Sequence, residues 1–112
     1  MASIYADFDT DQGASFSATL NVTDSESGSS DLTGYSVAGQ FKRSYTSETY
    51  TELNCELTDA SIGQVTISLE PDVTVATAAR KYLYDIFLTS PSGKVSKIIE
   101  GILTIYPSVT RL

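Results

Sequence analysis

The chain has no histidine and no tryptophan, a single cysteine, three prolines, and only seven basic residues against fourteen acidic ones. Each shortage excludes something. Without histidine the usual general base of nucleophilic catalysis is missing, and only a Ser–Lys arrangement remains. Ser92 beside Lys94 would be such an arrangement, but it belongs to the turn "SPSGK", which offers no pocket. One cysteine, Cys55, rules out an internal disulfide, so a chain this small needs a good core, partner subunits, or both. A net charge of -7 opposes bulk electrostatic binding to nucleic acid or to an anionic membrane. No apolar run approaches the length of a membrane span. The start, "MASIYADF", lacks the basic and apolar segments of a signal peptide, which points to synthesis and folding in a cytoplasm.

What is present is alternation. With 112 residues the chain is expected to form one domain over 1–112, built from about seven strands. Ile4, Ala6 and Phe8 mark a short first strand, and Phe16, Ala18, Leu20 and Val22 a second. Tyr35, Val37, Gly39 and Phe41 line one face of a third; Leu53, Cys55 and Leu57 do so in a fourth, and Val65, Ile67 and Leu69 in a fifth. The sixth places Tyr82, Tyr84, Ile86 and Leu88 inward, and the last runs from Lys94 to Tyr106. Cys55 at an apolar position reads as a small hydrophobe.

The connections carry turn chemistry. "DSESGSSD", Asp24 to Asp31, is a polar link, and "TDASIG" is a turn. "SPSGK" joins two strands as a hairpin, with Pro91 suited to the second turn position and Gly93 to a left-handed backbone. Glu70 to Arg80 is the one stretch that accommodates a helical turn. Gly101 lies mid-strand, which suggests a bulge or a close approach of another backbone. These features predict an all-β, antiparallel, immunoglobulin-like sandwich, with Tyr82 or Tyr84 bonding its hydroxyl to the preceding corner.

"DFDTDQGASF", Asp7 to Phe16, resembles the start of a calcium loop. An EF-hand loop takes oxygen ligands at its first, third and fifth positions, glycine at the sixth and glutamate at the twelfth. Counted from Asp7, the sixth residue is Gln12, Gly13 arrives one late, and the twelfth is Ala18. The template fails, and alternation alone puts Asp7, Asp9 and Asp11 on one wet strand face. Paired carboxylates of glycosidase type lack the aromatic cleft they would need. "SGKV" lacks the loop and helix of a phosphate site, and Asn21-Val22-Thr23 is a glycosylation triplet inside a strand. No catalytic, cofactor-binding or metal-binding residue is assigned, and the expected protein is not an enzyme.

Surface remains. Of the first 41 residues six are acidic and none basic, while Arg80 to Leu112 holds five basic and two acidic residues. On opposite sheets these would make an acidic face and a basic face.

"DQGASFSATL", "DLTGYSVAGQFKRS" and "KYLYDIFLTSPSGKVSKIIEGILTIYPSVTR" resemble, in the same order, segments of a group of small structural proteins of tailed bacteriophages. The likeness covers nearly the whole chain. It departs in the fourth and fifth strands and at "TAARKY", where the group often has glycine before the tyrosine. It extends to the immunoglobulin-like N-terminal domains of baseplate proteins. The resemblance implies a non-enzymatic virion protein, assembled in the host cytoplasm, whose partners are other virion proteins and copies of itself, with no nucleic acid, membrane or cofactor. Tail, baseplate, neck and fibre-adaptor positions fit, as does capsid-surface decoration. The implied contacts are the termini and edge strands, including "YPSVTRL" added to a neighbour by β-augmentation. A carbohydrate- or receptor-binding module is the other reading, with Tyr45 and Tyr50 stacking on sugar.

Overall fold

The computed structural model describes residues 4–22 and 32–110. Its strands are β1 (Ile4–Tyr5), β2 (Phe8–Asp11), β3 (Phe16–Asn21), β4 (Ser36–Lys42), β5 (Thr51–Asp59), β6 (Gln64–Leu69), β7 (Lys81–Thr89) and β8 (Val95–Tyr106), with one short helix, α1 (Pro71–Ala76). A 3-10 turn, Ala60–Ile62, occupies the expected "TDASIG" turn. The "DSESGSSD" link, Thr23, and the final Arg111 and Leu112 lie outside the described residues.

The protein is all-β, and its strands form one sheet in the order β1-β8-β7-β4-β5-β6-β3, with β2 also on β8. Strand β5 makes the sheet continuous: Thr51–Leu53 pair with β4, whereas Asn54–Asp59 pair with β6. The sheet curls so that its two ends face each other across the core, without pairing. Phe8 of β2 packs edge-on against Phe16 of β3 at 5.7 Å and lies 5.8 Å from the Tyr84 ring. The apolar alternation explains the curl, because every strand has one oily side and only closure hides them all. Phe16, Phe41, Leu53, Val65, Ile67, Leu69, Tyr82, Tyr84, Ile86 and Leu88 are buried there, as the patterning predicts, and the last strand adds Leu103 and Ile105.

Two expectations need correction. The pairing is not antiparallel throughout, since β1 and β2 run parallel to β8, with Ile4 opposite Ile99 and Asp11 opposite Tyr106. The first strand makes no hairpin with the second, because the corner at Gln12–Ser15 carries the chain from one end of the curled sheet to the other; the first strand pairs with the last instead. Among the described residues the strands number eight, because the first is interrupted at Ala6 and Asp7. Gly101 meets the second of its two expectations, a close approach of another backbone, that of Ala6, while the bulge of this strand lies at Ile98, the extra residue between the Ile86–Ile99 and Phe87–Lys97 pairs. It turns both Ile98 and Ile99 into the core.

At the hairpin after β7, the Ser90 amide bonds the Lys94 carbonyl at 2.8 Å, and Gly93 has the expected positive φ of 93°. The Tyr82 hydroxyl donates to the Ala78 carbonyl at 2.5 Å, four residues upstream, in the predicted corner position.

Candidate functional site

The motif stretches meet at two joints of the fold. At the first, Gly101 lies under the backbone of Ala6: a Cβ there would overlap the Ala6 carbonyl oxygen and stand 2.7 Å from its carbon. The Ala6 amide bonds the Glu100 carbonyl at 2.9 Å, as a parallel ladder requires. The next rung of that ladder would run from the Ile102 amide to the Ala6 carbonyl. Instead the Tyr84 hydroxyl donates to that carbonyl, and the Ile102 amide donates to Asp7 Oδ1 at 2.9 Å. Asp7 therefore acts as a substitute backbone acceptor. Burial pushes the Tyr84 hydroxyl well above the usual tyrosine range, with the Asp7 charge adding to the effect.

The second joint is the DQG corner. Gly13 has φ of 83°, a left-handed conformation that suits glycine. Its amide donates to Thr74 Oγ1 at 3.1 Å, and the Thr74 hydroxyl lies 2.9 Å from the Ala14 carbonyl and 3.2 Å from that of Pro71. Gln12 Nε2 donates to the Thr77 carbonyl at 2.8 Å, just past the end of α1. The corner is thus bolted to the helix. Thr74 is fully buried, and sequence reasoning missed it, because a threonine in "PDVTVATAAR" has no period or motif to mark it.

The three aspartates alternate outward as expected, and Asp9 and Asp11 are exposed. Among the described residues no three acids or cysteines are placed to hold a metal ion. Ser92 stays in the hairpin, its hydroxyl 2.9 Å from that of Ser90.

The best-formed concavity, about 430 Å³, lies on the outer face of β4 and β7. Gln40 and Lys42 line it from β4, Leu83, Asp85 and Phe87 from β7, and Tyr45 from the following loop. Tyr45 is 78% exposed. Tyr50 lines a separate hollow beside Arg43 and Ala78, so the two loop tyrosines do not share a site. Desolvation raises the Asp85 carboxyl above its ordinary value, Glu100 adds to this, and Lys97 and Lys42 oppose it. Phe87 was not foreseen; its outward position follows from the alternation that buries Ile86 and Leu88.

Half of the acids behind the charge reading, Asp24, Glu26 and Asp31, lie outside the described residues. The acidic β2 does not oppose the strands that carry Lys81 and Lys97 but is bonded to β8 in the same half of the sheet. Lys97 also pairs with Glu100 at 3.2 Å. Strand β3 carries no charge at all.

Cys55 faces inward and is half-buried, and its thiol is pushed up to about 11 from 9.0, mainly by burial and then by Glu52. A thiol reagent at pH 8 is therefore expected to react about 100-fold more slowly with the folded than with the unfolded protein, which stopped-flow labelling measures. Because the folded value is the higher, this thiol stabilises the fold below about pH 9, and the contribution is lost as pH rises through about 11.

A scan against family models and a search of curated proteins give no match to this chain.

Proposed function

We propose that this protein is an immunoglobulin-like sandwich that serves as a non-enzymatic structural component of a tailed-bacteriophage virion, working through protein–protein contacts. The observation that carries the reading is where the resembling residues sit. Gly13, Tyr84 and Gly101, each within a motif of the resemblance, meet at the joints that fasten the first strand, the DQG corner and the last strand. These motif residues serve architecture, which is what a building block needs. Two further features favour the immunoglobulin-like assignment: the Tyr82 corner bond, and the division of β5 between β4 and β6, the pairing expected of a strand that passes from one layer of a sandwich to the other. Tail, baseplate, neck or fibre-adaptor positions are all consistent with this role, as is a capsid-surface cement.

The test is whole-particle mass spectrometry followed by localisation in an electron-microscopy map. A fixed copy number in purified virions is expected; particles that lack the protein overturn the proposal. The carbohydrate- or receptor-binding reading is favoured by Tyr45 standing over the β4–β7 groove with Gln40 and Asp85 as polar groups. Tight binding on a glycan array, lost in Tyr45→Ala, would select it instead.

A further inference from the structure

The sheet ends in two edges of opposite character. The β1–β2 edge carries Asp7, Asp9 and Asp11, and charges on an edge deter pairing with another chain. Among the described residues the β3 edge has no such guard. Neither β3 (Phe16–Asn21) nor its neighbour β6 (Gln64–Leu69) holds a charged residue, although the chain has a net charge of -7.

The direction of the β3 peptide groups follows from one bond. The Val22 amide donates to the Gly63 carbonyl at 2.8 Å, in register with the β3–β6 ladder that pairs Asn21 with Gln64 and Phe16 with Leu69. Antiparallel ladders alternate, so Leu20, Ala18 and Phe16 also bond to β6, while Ser17, Thr19 and Asn21 aim their N–H and C=O groups outward. Among the described residues those outward groups have no backbone partner.

We propose that β3 pairs antiparallel with β3 of a second copy, about a two-fold axis through Thr19. This register uses every outward N–H and C=O of Ser17, Thr19 and Asn21. It sets Ala18 opposite Leu20 and Phe16 opposite Val22 on the inner side, and Ser17 opposite Asn21 on the outer side. Slipping by a single residue in the pairing would place inward side chains against outward ones. A hydroxyl ladder already leads to the axis: Thr58 and Thr66 hydroxyls are 3.1 Å apart, and Thr66 and Thr19 hydroxyls 3.0 Å. Across the axis Thr19 meets Thr19 of the other copy and continues it. The pairing goes beyond the virion role and stands on the chemistry of the edge alone.

Analytical ultracentrifugation from about 1 to about 500 µM should show a monomer–dimer equilibrium with Kd in the micromolar range, as expected of a small interface. Over the same range the amides of Ser17, Thr19 and Asn21 should exchange more slowly as the dimer fills, while those of Asp9 and Asp11 should not change. Thr19→Lys puts like charges on the axis, and Thr19→Pro removes an outward N–H that the β6 ladder does not use. Each is expected to raise Kd at least tenfold, and Thr19→Lys keeps the test intact if the proline variant fails to fold. A wild type that stays monomeric throughout overturns the proposal. So does a dimer that survives Thr19→Lys or leaves the three amides unprotected.

Discussion

Gly101→Ala is expected to destabilise the protein by about 3 kcal/mol or more, a fall in Tm of about 10–20 °C. The added methyl would have to occupy the space of the Ala6 carbonyl group, and no flexible side chain is there to yield. The backbone of the first strand must lift instead. Lifting it breaks the bond from the Tyr84 hydroxyl and separates Asp7 from the Ile102 amide, so the damage spreads beyond one contact. Denaturant unfolding measures the loss, and faster exchange at the Ala6 and Ile102 amides locates it. Gly13→Ala is the comparison: nothing lies within 4 Å of the new Cβ, and only the φ of 83° is unfavourable, at about 1 kcal/mol. Equal losses in the two variants would refute the idea that close approach, rather than backbone conformation, dictates glycine at 101.

The second large effect is expected at Thr74. Thr74→Val keeps the shape of the side chain and deletes the hydroxyl that serves Gly13, Ala14 and Pro71. Groups left unpaired in a buried site cost about 1–3 kcal/mol, and here both an N–H and a C=O of the corner are stranded. A loss of about 2–3 kcal/mol is expected, measured by the same unfolding curves. Thr74→Ser retains the hydroxyl and should lose only about 1 kcal/mol, the worth of one methyl. If valine were tolerated as well as serine, the corner would not depend on this bond.

These two sites show what the sequence discloses and what it conceals. The inward residues of the long strands were legible because each strand has one wet and one buried side, and Tyr82, Tyr84, Ile86 and Leu88 obey that rule without reference to anything distant. Gly101 was legible as an anomaly, since glycine mid-strand needs a reason, but its cause is a residue 95 positions away in the chain. The break at Ala6, the parallel pairing and the bulge at Ile98 arise from how separate segments fit, and no local pattern encodes them. Thr74 was invisible for the same reason: its partners lie about 60 residues earlier. The calcium-like spacing of Asp7, Asp9 and Asp11 came from alternation, and the first of the three has a backbone role that composition could not suggest. The groove of Gln40, Asp85, Phe87 and Tyr45 likewise forms only once β4 and β7 are side by side.

The parallel docking of β1 and β2 on β8 also sets how the molecule bears load. Ile4 sits beside Ile99 and Asp11 beside Tyr106, so the ladder fastens β1 and β2 to β8 on both sides of the break at Ala6 and Asp7. Because all three run the same way, Ile4 and Tyr106 stand at opposite ends of that ladder. Tension applied between them acts along the strands and loads the rungs in shear, so they resist together; a hairpin pulled open from its ends surrenders its rungs one at a time. The joint at Ala6, Asp7, Tyr84 and Gly101 lies in the middle of this clamp, where it pins the two strands against sliding.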